Sequence, residues 1–169
     1  MRNARSKTTN ARYVPERTAR REFPKGAKGV VFCGTCDIAY YKKAWHHNLR
    51  HFKSFEKDVP VVFRLCPACT MIKNKQFEGK VTLLYVPTKY QQEVERLVRA
   101  YGERAYRRDP LDRVIGIQKT KSGFEITTTE NQLAQKLARK IAETFKAARV
   151  SISHSASPSD VAFITGTFS

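Results

Sequence analysis

The sequence predicts an α+β chain in three parts: a basic arm over 1–29, a cysteine-bearing lobe over 30–79 with a helical insert, and a sheet-and-helix domain over 80–169. Three observations carry this division. Residues 1–30 hold nine Lys and Arg against two acids and show no hydrophobic periodicity. Two CxxC pairs flank a linker of 29 residues. From Val81 onward, apolar residues alternate between the strand period and the helix period. With 169 residues, 41% of them hydrophobic, the chain is long and apolar enough for a packed core. No apolar run approaches the roughly 18 residues of a bilayer-spanning helix, so no membrane partner is expected. The net charge of +17 bears on partners and not on fold.

The arm comes first. Arg12, Arg17, Arg20, Arg21, Lys25 and Lys28 are spread among Asn, Thr, Pro and Ala. Such a segment buries too little apolar surface to offset its ordering entropy, and is expected to be a disordered basic arm. It reads either as an arm that orders on nucleic-acid phosphates or as a solvated tail. An Arg-rich transit peptide is a third reading, against which Glu16, Glu22 and the missing amphipathic stripe count. The first thirty residues have no apolar secretory core, so a cytoplasmic location is expected, where thiols persist as thiols or metal ligands.

The cysteine lobe follows. Cys33-Gly34-Thr35-Cys36 and Cys66-Pro67-Ala68-Cys69 are each entered by an apolar run, Val30 to Phe32 before the first and Val61 to Leu65 before the second. A short strand entering each of two CxxC knuckles is the layout of a zinc ribbon, and four thiolates complete a tetrahedral zinc site. A closed four-sulfur site has no open position for water, so one structural zinc ion is expected. Redox chemistry at one CxxC would leave the other pair unexplained, and two structural disulfides would be out of place in the cytosol. The linker holds Tyr40, Tyr41, Lys42, Lys43, Trp45, His46, His47, Arg50, His51, Phe52, Lys53 and Phe55. Aromatics interleaved with cations suit base stacking and phosphate pairing. The same run also reads as a short helix, about 40–52, whose aromatics pack on the ribbon while its cations face water. On that second reading Trp45 is a packing residue; Lys42, Lys43, Arg50 and Lys53 remain nucleic-acid candidates.

The remaining elements are predicted in order. A strand over 81–86 ends at Pro87, and Thr88 to Gln91 has capping-box spacing with Thr88 at the N-cap. Tyr90, Val94, Leu97, Val98, Tyr101 and Ala105 then recur at helical spacing until Asp109-Pro110. Strands follow over 113–118 and 124–128, joined by a turn at Ser122-Gly123. Thr129 to Gln132 repeats the capping-box spacing, and Leu133, Leu137, Ile141 and Phe145 form an i, i+4 stripe. Strands over 150–153 and 161–168, separated by a Ser/Pro-rich turn at 155–160, close the domain. This order is β-α-β-β-α-β plus one extra C-terminal strand, a ferredoxin-like split βαβ arrangement in which an antiparallel sheet carries both helices on one face. On the first helix, Glu95 with Arg99 and Glu103 with Arg107 have ion-pair spacing. Arg107 and Arg108 beside Asp109 are candidates for an electrostatic contact.

No P-loop, GxSxG or HExxH motif and no cluster of acids suited to two-metal chemistry is present, so no catalytic residue and no small-molecule substrate is expected. His154 reads as a surface residue.

Cys33-Gly34-Thr35-Cys36, the following Tyr40, Trp45, His46 and His47, and Leu65-Cys66-Pro67-Ala68-Cys69 together resemble a family of small bacterial zinc-ribbon proteins. The similarity continues through Pro110-Leu111-Asp112-Arg113-Val114-Ile115 and Thr127-Thr128-Thr129 with Leu133-Ala134, covering about 31–168. That family is in turn distantly similar to the archaeal and eukaryotic ribosomal large-subunit export adaptor named for nonsense-mediated decay. The resemblance implies zinc, a nucleic-acid or ribosome context and no catalysis. The larger adaptors carry two four-cysteine sites and this chain has cysteines for one, so only the four cysteines carry over, as zinc ligands.

The resulting expectation is a zinc-stabilised, non-enzymatic RNA-binding factor associated with the ribosome and ribosomal RNA. The arm and the Tyr41–Lys53 segment, Trp45 included, are expected to provide most of the contacts, chiefly to phosphate. A zinc-ribbon DNA-binding or transcription-associated factor, an adaptor docking a protein partner through Trp45, and a thiol oxidoreductase at Cys33 and Cys36 are the alternatives.

Overall fold

The computed structural model describes residues 29–50, 60–146, 148–155 and 161–169. Within them the chain forms two sheets and three helices, a mixed α/β architecture. The expected arm, with Arg12, Arg17, Arg20, Arg21, Lys25 and Lys28, lies outside the described residues, as do Lys53 and most of the 155–160 turn.

The smaller sheet has four strands in the order β3-β2-β1-β4. β1 (Val30–Cys33) pairs in parallel with β4 (Val61–Arg64), in a register that sets Phe32 opposite Phe63 and Cys33 opposite Arg64. Because the two strands run the same way, both CxxC sequences leave the sheet at the same end. That pairing converts a sequence separation of about thirty residues into one cluster of sulfurs.

Where a helix was expected over about 40–52, the described part of that segment holds a β-hairpin. β2 (Ala39–Tyr41) and β3 (Ala44–His46) are antiparallel, with Tyr40 opposite Trp45. They are joined by Lys42 and Lys43 alone, both left-handed, at φ +47° and +68°. Two left-handed residues in succession make the tight primed turn whose twist matches paired strands. The Tyr40 and Trp45 rings, 5.5 Å apart, add a cross-strand contact that a helix would not provide.

After β4 the second knuckle opens into α1 (Pro67–Lys73), which the strand-and-knuckle reading did not include. Its start is legible in retrospect: Cys66 is the N-cap, its sulfur accepting from the Cys69 amide at 3.3 Å. Pro67 sits at the first helical position, where a missing N–H costs nothing.

The larger sheet has five strands in the order β6-β7-β5-β9-β8. β5 (Gly79–Leu84) is central, antiparallel to β7 (Phe124–Thr128) and parallel to β9 (Ala162–Phe168). β6 (Val114–Lys119) and β8 (Ala148–His154) are the edges. The extra C-terminal strand therefore enters the interior of the sheet, between β5 and β8. Side-chain patterns account for the placement. β9 alternates buried and half-buried along its full length, whereas β8 is largely exposed with Arg149, Ser151, Ser153 and His154. A strand with a buried stripe belongs inside the sheet, and a polar one can face water at its edge.

α2 (Thr88–Arg108) and α3 (Asn131–Thr144) bury Val94 and Val98, and Leu137 and Ile141, against Val81, Leu83, Ile126 and Ile164 of the sheet. Each fully buried side chain of this kind contributes about 1.5–3 kcal/mol. Tyr90, Phe145 and Phe168 close one end of that core, with ring centroids 5.4 to 6.4 Å apart. Gly79 lets α3 approach β5, since a Cβ there would meet Ala134 and the Thr128 hydroxyl. Neither capping box forms. The N-caps are Pro87 and Glu130, without side-chain caps. The Thr129 hydroxyl is used elsewhere, donating to Leu111 O at 2.6 Å and accepting from Arg113 N at 2.8 Å. Buried beside the entry to β6, that hydroxyl gains two partners where a cap would give it one. Among the described residues, no helix is long and apolar enough to cross a membrane.

Candidate metal centre

The sulfurs of Cys33, Cys36, Cys66 and Cys69 all lie within 4.8 Å of one another, positioned to hold a metal ion. None of the four is in a disulfide. Cys36 Sγ stands 3.8 Å from Cys66 Sγ, far beyond the roughly 2.05 Å of a disulfide. Cys33, Cys66 and Cys69 are buried and Cys36 is half-buried.

Local structure sets each sulfur. In the first knuckle the Cys33 amide donates to Ile38 O at 2.8 Å and the Asp37 amide to Cys33 O at 3.2 Å, closing the turn. Left-handed Asp37, at φ +58°, sends the chain back into β2. Asp tolerates that region better than most residues. In the second knuckle the start of α1 points amides at sulfur. The Cys66 amide also donates to Cys33 Sγ at 3.4 Å, tying the two knuckles together. Ile38 is buried beneath the cluster, and Trp45, Leu65 and Leu111 pack around it.

The electrostatics ask for a cation. Burial pushes the Cys33 thiol up, but amide donors from Cys66, Thr35 and Cys36 outweigh it and bring the group down to about 6. Burial pushes Cys66 up to about 11, helped by the charges of Cys36 and Cys33. Cys69 is also pushed well up, by burial and then by its bonds to the neighbouring sulfurs. Four adjacent sulfurs cannot all be thiolates without positive charge among them, and a metal ion held there would supply it.

Part of that charge comes from a residue the sequence did not single out for it. Arg113, at the entry to β6, donates from Nη2 to Cys36 Sγ at 3.1 Å and reaches Cys69 Sγ from Nη1 at 3.8 Å. Its Nε donates to Pro110 O at 3.0 Å, and its guanidinium lies 4.8 Å over the Tyr106 ring. Burial works against the Arg113 charge, but the Cys36, Cys66 and Cys69 sulfurs outweigh it and hold the group protonated. His47 completes the joint: its Nε2 bonds Tyr106 O at 2.7 Å and its ring meets the Tyr106 ring edge-on at 4.6 Å. The cysteine centre therefore lies against the end of α2 and the start of β6, where the lobes meet.

The other candidate residues separate into two groups. Trp45 is half-buried, packed between Tyr40 and the cysteine cluster, which is the packing arrangement of the two sequence readings. Lys42 and Lys43 are exposed at the hairpin tip, with Lys42 Nζ 5.5 Å over the Tyr41 ring, and Arg50 is exposed beyond a turn closed by Asn48. On α2, Arg99 pairs with Glu95 at 2.6 Å and Arg107 with Glu103, the i, i+4 partners expected. Neither His46, which bonds Tyr41 O at 3.0 Å, nor His47 joins the sulfur cluster.

No protein-family model matches the chain, and no curated protein matches it.

Proposed function

We propose that this chain is a non-enzymatic RNA-binding protein, held in shape by one structural zinc ion and acting at the ribosome. The smaller lobe is then a zinc ribbon, and the larger one a ferredoxin-like split βαβ sheet with an inserted fifth strand. The choice of zinc is supported by donor chemistry and spacing. Four sulfurs are a soft tetrahedral set, and a Zn–S distance of about 2.3 Å places sulfurs about 3.8 Å apart. The Cys36–Cys66 separation is 3.8 Å. Cys33, Cys36, Cys66 and Cys69 would take every ligand position. Zinc held there supplies charge neutralisation and a cross-link between the knuckles, and no site for substrate.

The observation that carries RNA binding is the hairpin tip. Lysine is a poor choice for a primed turn, where Asn and Gly are preferred, and left-handed backbone costs roughly 1–2 kcal/mol per ordinary residue. Lys42 and Lys43 hold that conformation in succession, exposed at the end of a hairpin braced by Tyr40 and Trp45. Backbone strain kept at an exposed tip is characteristic of contact sites. Two cations there, on a chain of net charge +17, suit phosphate. RNA is preferred over DNA on the zinc-ribbon resemblance, and the ribosome is the context it implies.

The test is competition at fixed salt with purified, zinc-loaded protein, using a structured ribosomal RNA fragment against duplex DNA of equal length. Preferential displacement by RNA supports the proposal. Displacement by duplex DNA alone moves the reading to a DNA-binding factor. Sedimentation of lysate in low and high salt then tests the ribosome, and migration with the subunits at low salt only is the expected result.

A further inference from the structure

Several cations of the larger lobe are neutralised where they stand. Besides the two pairs on α2, Lys80 meets Glu125 at 3.0 Å and Lys140 meets Glu143 at 3.5 Å. Lys136 and Arg139 are different: both are exposed on α3, and among the described residues neither makes an ion pair. Asp112 is within electrostatic reach of Lys136 without pairing to it.

These two cations share one side of α3 with Gln132 and Gln135, at the i, i+3 and i+4 spacings that align residues along a helix. The end of the edge strand β8 brings His154 beside them. With Asn131 they line a concavity of about 340 Å³, and among the described residues no carboxylate lines it. The lining is two fixed cations, three carboxamides and an imidazole. All these groups can donate hydrogen bonds, and among the described residues the lining itself carries no fixed negative charge. That composition suits an anion with several acceptor oxygens, and phosphate, which both the Arg fork and the Lys point charge recognise, is such an anion.

We propose that the concavity between α3 and β8 seats a backbone phosphate of RNA, as a contact point separate from the Lys42–Lys43 tip. The occupant rests on the RNA reading above; the site rests on its lining.

The experiment measures the affinity of the full, zinc-loaded chain for a single-stranded RNA oligonucleotide as salt is varied. It compares the unmodified chain with the double variant Lys136→Ala/Arg139→Ala and with Lys140→Ala. Alanine keeps the helix, and Lys140→Ala removes a charge from the same element outside the concavity. Each lost single-strand phosphate contact should reduce the log–log slope by about 0.7, which at 0.1 M salt is about 5-fold in affinity. The double variant, which empties the one phosphate seat, is expected to lose about 5-fold and Lys140→Ala to stay near the unmodified chain. If the double variant matches Lys140→Ala while the unmodified chain keeps a steep slope, the concavity is overturned and the RNA reading stands. If the unmodified chain itself shows no salt-dependent binding, the RNA reading falls and takes this occupant with it. Side-chain amide resonances of Gln132 and Gln135 provide the second readout. Shifts on adding both RNA and inorganic phosphate support the proposal, and shifts with inorganic phosphate alone overturn RNA as the occupant.

Discussion

Arg113 ties the cysteine cluster to the larger lobe. It bonds Cys36, reaches Cys69, stacks on Tyr106 and is anchored by Pro110 O. A partner that bonds a ligating atom orients it and tunes its basicity, and removing one typically lowers metal affinity 10–100-fold. Arg113→Ala is expected to lose zinc to a competing chelator at concentrations about that much lower. Arg113→Lys should recover part of the loss, since it keeps the charge but not the fork. Zinc retention measured by mass spectrometry across a chelator series checks this, and equal retention in Arg113→Ala would remove Arg113 from the site. The contrast with the cysteines explains what was legible. Ligand chemistry is written in CxxC spacing, so all four sulfurs were readable. Arg113 meets Cys69 and Cys36 across 44 and 77 residues, and no local pattern marks such a contact.

At the scale of elements, the β2–β3 hairpin is the sharpest case. Lys42–Lys43→Asn-Gly would supply the residues its turn prefers while deleting two charges. The variant is expected to be more stable, by about 1 kcal/mol or more from relieved left-handed backbone, and weaker for RNA. Thermal melts and RNA titration of the same preparation decide between strain kept for binding and an indifferent turn, which would leave RNA affinity unchanged. The helix expected there shows where sequence reading fails. Aromatics and cations over 40–52 fit either period, and a Lys-Lys turn lacks the Asn-Gly signature that announces a hairpin. The stripes of α2 and α3 were readable because Val94, Val98, Leu133, Leu137 and Ile141 repeat over several turns. Their caps were not, because the hydroxyl of Thr129 serves a neighbouring strand end. The strand order beyond β-α-β-β-α-β was also hidden, since placing β9 between β5 and β8 depends on side-chain burial across the whole sheet.

For the whole molecule, the cysteine centre is both the core of the smaller lobe and part of its joint with the larger one. The larger sheet has its own hydrophobic core, in which no cysteine takes part. Removing metal is therefore expected to unfold the smaller lobe, because binding energy at such a site is folding energy, and to leave the five-stranded sheet intact. Trp45 is the chain's single tryptophan and packs on the cysteine cluster, so its fluorescence reports the smaller lobe alone. Chelation should shift that emission to the red while most amide protons of β5, β7 and β9 stay protected from exchange. Loss of both signals together would mean that the lobes fold as one unit. The account's central claim is that positive charge on a zinc-held scaffold binds RNA through phosphate, and the salt dependence of the zinc-loaded chain's affinity for ribosomal RNA tests it most directly. The expected log–log slope is steeper than about −3, the value given by roughly four phosphate contacts. A flat response, or no binding at low salt, would contradict it.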